Sequence, residues 1–147
     1  MIRIDLDQLI TAREHRGDEM RSFIDLQTGE IVMWFDAEYC GEIEGAPDLE
    51  DLEDNERYLE VESFESSISF SIMEGFVETL PEGRIRGEFV DALERSKPFR
   101  NFRRLLDDHL DIRDDWFKFQ GSEQIYWCKW WVGKQNMEAE FYDSWHR

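Results

Sequence analysis

At Ser66 the spacing of apolar residues changes, and this change limits the folds open to the chain more than any other feature. Ahead of it, apolar residues alternate or fall in short β-branched and aromatic blocks; behind it they recur every three or four positions. In the first part, "RSFIDLQTGEIVMWF" reads as a hairpin turning at Gln27, Thr28 and Gly29, whose glycine can take a positive φ. Arg57 to Phe64, "RYLEVESF", puts Tyr58, Glu60 and Glu62 on one face and Leu59, Val61 and Ser63 on the other, as in a third strand. A short helix precedes the hairpin, with Leu6, Leu9, Ile10 and Arg13 at helical spacing and Asp5 as N-cap.

Behind Ser66 the pattern is mostly helical. Ile68, Ile72, Met73, Phe76 and Leu80 line one helix, capped by Ser66 or Ser67 and stopped by Pro81 to Gly83. "GEFVDALERS" is a second, with Phe89, Val90 and Leu93 inward; Ser96 caps a third that carries Pro98 in its first turn and runs through "FRNFRRLLDDHL". "DDWFKFQ" alternates Trp116 and Lys118 against Phe117 and Phe119 and reads as a strand. A last helix follows in "SEQIYWCKWWVGKQ", with Ser122 as cap, Ile125, Cys128, Trp131 and Val132 inward, and Gly133 past its end. Strands followed by helices predict an α+β fold: a small antiparallel sheet with helices packed beside it, in a single domain over residues 1–147. Strand order and oligomeric state are not legible.

Charge is uneven along this chain. Its formal net charge is −18, and Asp36 to Glu65 alone holds thirteen acids against one base, Arg57. The stretch "GAPDLEDLEDNERYLE" has few apolar anchors, so an acidic, solvated loop is expected over about 36–56. Its D-L-E rhythm lacks the glycine and closing glutamate of an EF-hand loop, so at most loose divalent-cation screening, and no built calcium site, is expected there. Such a surface repels nucleic acid and anionic lipid and attracts basic proteins. The N-terminal "MIRIDLDQLI" has neither the apolar run of a secretory signal nor that of a membrane span, which points to the cytoplasm. Cys40 and Cys128 stand apart in sequence without metal-ligand spacing and are expected to be buried thiols.

Against this background, "SKPFRNFRRLLDD" gathers Lys97, Arg100, Arg103 and Arg104 in one short segment. A helical projection places Phe99, Phe102, Leu105, Leu106 and Leu110 on one face and Arg100, Arg104, Asp107, Asp108 and Asp111 on the other. Cations at the start and acids at the end oppose the helix macrodipole. The i,i+4 pairs Arg103–Asp107 and Arg104–Asp108 offset little of that. Three expectations stand for the arginines: pairing with the chain's own acids, Arg100 and Arg104 meeting Asp36 to Glu65 or the sheet's acidic rim; receipt of an external anion by Lys97, Arg100, Arg103 and Arg104; or a surface helix with no special partner.

In order along the chain, the hairpin "FIDLQTGEIV", the helix "MEGFVETL", the segment "KPFRNFRRLLDD" and "WFKF" resemble the landmarks of a bacterial group catalogued as uncharacterised protein family 0158. Phe99, Arg100, Phe102, Arg103 and Arg104 occupy its Phe-Arg-x-Phe and basic-pair positions, with Lys97 and Pro98 replacing the usual small pair. The resemblance implies an architecture and no activity.

Catalytic patterns are lacking. His15, His109 and His146 are scattered, no GxSxG, P-loop or HExxH occurs, and His109 sits at packing spacing. The chain therefore leans away from catalysis, with no catalytic residue, cofactor or metal ligand singled out. The leading expectation is a non-catalytic protein-interaction module with an acidic surface and a basic protein partner. The alternatives are anion or nucleic-acid binding through Lys97, Arg100, Arg103 and Arg104, and a hydrolase using paired carboxylates. The five tryptophans from Trp116 onward are expected to pack rather than to form a binding platform.

Overall fold

The computed structural model of the chain describes residues 1–42 and 44–143. His146 and Trp145, discussed above, lie outside the described residues. The fold is α+β, with seven helices and a small antiparallel three-stranded sheet among the described residues. The chain groups into two compact units: Met1–Phe64 with Trp127–Arg147, and Glu65–Tyr126.

In the first unit, β1 (Ile2–Asp5) leads into α1 (Leu6–Glu14), where the Asp5 carboxylate accepts from the Asp7 N–H at 3.0 Å as an N-cap. The hairpin forms as β2 (Met20–Asp25) and β3 (Ile31–Phe35), in the register Phe23↔Val32. Gly29 has φ +84°, and a Cβ there would overlap the Arg3 carbonyl oxygen, so both backbone angle and space require glycine. The expected third strand is shorter than its alternation, β4 (Tyr58–Glu60), and pairs antiparallel with β2, giving the order β3-β2-β4. Beyond Val61 the chain leaves the ladder for α1, where the Phe64 N–H donates to the Arg13 carbonyl.

Arg13 is 4% exposed. Its guanidinium donates to the carbonyls of Glu62 and Trp127 and lies over the Phe64 ring at 4.4 Å and the Trp131 ring at 5.3 Å. A buried arginine persists because carbonyls and aromatic faces replace its water. A pairing without sequence precedent joins the chain ends: β1 runs parallel to β5 (Ala139–Tyr142).

Two helices replace the expected acidic loop. In α2 (Ala37–Cys40) the Asp36 carboxylate caps the Glu38 N–H, and Gly41 closes the turn at φ +77°. In α3 (Leu49–Glu53), Glu50 and Asp51 occupy the first turn, where negative charge suits the macrodipole, and Leu52 is 2% exposed. One buried leucine is the apolar anchor that the acidic composition obscures.

The second unit contains α4 (Ser66–Thr79), α5 (Arg84–Glu94), α6 (Pro98–Asp108) and the first part of α7 (Leu110–Lys134). Phe76, Phe89, Phe102 and Trp116 are buried and meet edge-to-face, with centroids 4.8 Å apart for Phe102 and Trp116 and 5.5 Å for Phe89 and Phe102. Several serine caps do not form: Glu65 and Lys97 stand at the N-cap positions of α4 and α6, without side-chain cap bonds, and Ser122 lies inside α7. Val90 points outward and Ala92 inward. Helix α6 stops at His109 instead of running through Leu110, which is exposed.

The expected strand at "DDWFKFQ" is helical. Trp116, Gln124, Cys128 and Val132 are buried at multiples of four along α7, and this longer period overrides the local alternation. Gly133 accordingly lies within the helix. Cys128 and Trp131 are buried as expected, but Cys40 is exposed, and so is Trp130 at 45%.

Candidate functional site

From Asp36 to Glu56 the sequence has ten acids and no Lys or Arg. The caps of α2 and the buried Leu52 of α3 hold parts of this run on folded backbone, which places Glu38, Glu50, Asp51 and Glu53 on helices. Glu38, Glu42, Glu44, Asp48, Glu50, Asp51, Glu53, Asp54 and Glu56 are all exposed. Among them stands Tyr39, 75% exposed on α2.

The nearby cations are committed. Arg21 donates to both oxygens of Glu60 at 2.6 Å and also pairs with Glu53, which ties α3 to β2 and β4. These hydrogen bonds, to Glu60 first, raise the Arg21 pKa further above its ordinary value. Arg57 forks onto Asp25 at 2.7 and 3.0 Å. Those bonds, with the Gln27 N–H also donating to the same carboxylate, outweigh burial and lower the Asp25 pKa to about 2.

Lys97, Arg100, Arg103 and Arg104 are all exposed along the start of α6, with Lys97 in the left-handed region at φ +57°. Within Glu65–Tyr126 the described residues offer them no ion pair. The expected pairs Arg103–Asp107 and Arg104–Asp108 do not form; Asp107 instead lies 3.6 Å from Arg113. In the Asp36 to Glu65 region the ion-paired acids, Glu53 and Glu60, are both held by Arg21.

The remaining chemistry is sparse. The His109 Nε2 lies 3.7 Å from Glu88, and its ring packs near Phe89 at 6.1 Å. Burial pushes the Cys128 thiol up to about 11, which keeps it protonated and unreactive. Among the described residues no group of three or more His, Cys, Asp or Glu side chains is arranged to hold a metal ion. No helix among them is long and apolar enough to cross a membrane. Sequence reasoning located the acidic run and the cations but missed Tyr39, whose exposure depends on the unexpected α2.

An α+β chain that carries a run of exposed acids is the class these features define. The chain belongs to the family described as "Uncharacterised protein family (UPF0158)", which it matches over residues 1–146. It is similar to "UPF0158 protein PA5073" of Pseudomonas aeruginosa, with 25% identity over 137 residues, 92% of this chain and 84% of that protein. No solved structure matches.

Proposed function

We propose that this protein is a non-catalytic interaction module that takes a basic protein partner on the acidic surface of Asp36 to Glu56. One observation carries the reading: a run of ten acids without a Lys or Arg, four of them on α2 and α3, includes an exposed Tyr39. Ordered like charges raise the local potential, speed encounter with a basic protein and reject acidic ones. Tyr39 supplies what charge alone does not, a rigid amphipathic anchor of the kind enriched at interface centres.

Equilibrium binding of a fluorescently labelled lysine-rich protein tests this. Replacing Glu38, Glu50, Asp51 and Asp54 by their amides is expected to weaken binding at low salt by about tenfold or more, and Tyr39→Ala to cost about 1–3 kcal/mol. Equal binding by wild type and both variants overturns the proposal.

A second reading rests on α6. Lys97, Arg100, Arg103 and Arg104 are exposed and lack ion pairs within their own unit, which leaves their donors open to phosphate or carboxylate. On this reading, substituting the three arginines by Gln leaves folding intact and abolishes retention of phosphate or RNA; unchanged retention contradicts it.

A further inference from the structure

We infer that the outward face of α6 is a twofold docking surface for a second copy of this chain, the two helices lying antiparallel. The surface lies wholly within the second unit and does not depend on the basic-partner reading; it takes the cations that the second reading leaves to phosphate. Its origin is the order of charge along the helix. From Lys97 to Asp114 the sequence holds five cations and four acids, with Lys97, Arg100, Arg103 and Arg104 all ahead of Asp107, Asp108, Asp111 and Asp114. These eight residues are all exposed. In a chain of formal net charge −18 this stretch is nearly neutral, so two copies can meet here without presenting like charge to each other.

The order is self-complementary. When the helix is laid against its own reverse about the point between Leu105 and Leu106, Arg104 comes opposite Asp107 of the other copy, Arg103 opposite Asp108, Arg100 opposite Asp111 and Lys97 opposite Asp114. A twofold axis makes each of these pairs twice. The inner two lie on α6 itself, and the outer two bring in the first turns of α7. Within one copy the charges stay apart. The i,i+4 pairs do not form, Asp107 meets Arg113 at 3.6 Å while its side chain remains 71% exposed, and the described residues of this unit offer Asp108, Asp111 and Asp114 no ion pair.

Antiparallel docking also answers the macrodipole. The cations at the start of α6 and the acids at its end each occupy the unfavourable end of their own helix, and in the pair each lies beside the other helix's opposite terminus, where its charge is favoured. A single exposed ion pair contributes little, but here the pairs repeat in register, and the arginine forks can meet carboxylates in the stronger, two-bond geometry. Phe99 and Leu110, both expected inward, are 37% and 62% exposed. They stand next to Arg100 and Asp111 in sequence and add apolar surface for the second copy to bury.

Sedimentation velocity of the full chain over a range of concentrations, in about 0.1 M salt, tests the pairing; a Debye length of about 10 Å there screens repulsion between the two bodies and spares charges in contact. The wild type is expected to form a dimer. Arg103→Asp/Arg104→Asp and Asp107→Arg/Asp108→Arg are each expected to weaken dimerisation about a hundredfold or more, because like charges then face each other. Mixing the two variants is expected to restore a dimer with one copy of each. The chain carrying all four substitutions is expected to dimerise with itself and not with the wild type. Circular dichroism melts establish that each variant folds; if a double variant does not, the fourfold variant, whose charges agree with its own macrodipole, carries the test through that discrimination. A wild type that stays monomeric, a dimer that neither reversal weakens, reversals that fail to rescue each other, or free exchange between the wild type and the fourfold variant overturns the docking surface. A monomer that retains phosphate returns the cations to the second reading, and one that binds a lysine-rich protein leaves the basic-partner reading standing.

Discussion

Asp25 is the residue where charge and fold are most tightly coupled. Its carboxylate is nearly buried and receives Arg57 and the Gln27 N–H at the base of the hairpin turn. With a folded pKa near 2 against an unfolded value of 3.8, its contribution is fully present above about pH 4 and is lost as pH falls through about 2. Asp25→Asn is therefore expected to destabilise by about 1–3 kcal/mol at neutral pH, a gap that closes between pH 4 and 2 in parallel denaturant titrations. Part of this scale was legible in the sequence. Asp5 announced itself as a cap because its acceptor bond is two residues away, and Gly29 because a tight turn needs it. The Asp25–Arg57 fork was not, since its partners lie 32 residues apart and meet only once β4 is placed beside β2.

Among the elements, α3 separates the role of shape from the role of charge. Leu52→Ala is expected to cost about 2–5 kcal/mol, because it empties a buried position, whereas Glu50→Gln on the same short helix stays within about 0.5 kcal/mol. Chemical denaturation of the two variants measures the contrast; equal small effects would return the run to the solvated loop its composition describes. Helix α6 offers a complementary case. Lys97 sits at φ +57° before Pro98, so Lys97→Gly is expected to raise stability by about 1 kcal/mol, read as a shift in the urea midpoint. The helices of the second unit were legible through their three- and four-residue spacing. One feature misled: "DDWFKFQ" alternates over a stretch too short to reveal the period of α7. The β1–β5 pair had no local signal, because four-residue strands at opposite ends of the chain specify each other only after folding.

For the whole molecule, a formal charge of −18 is both a cost and a resource. Self-repulsion disfavours the compact state, so the thermal midpoint is expected to rise as salt is added from low ionic strength; a flat or falling midpoint would show that the acids are already neutralised. The candidate site was legible as composition and not as geometry. The sequence marked where acids concentrate, while the helices that order them and expose Tyr39 depend on the Asp36 cap and on Leu52 finding its buried place. The arginines of α6 were equally visible, yet their lack of ion pairs within their unit depended on side-chain directions that a helical projection does not give. The most direct test of the account is the association rate of a labelled lysine-rich protein, followed by stopped-flow across ionic strength for the wild type and for the variant with amides at Glu38, Glu50, Asp51 and Asp54. The account predicts a fast wild-type rate that falls steeply with salt and converges on the slow, nearly salt-independent rate of the variant. Superimposable salt dependences for the two proteins would contradict it.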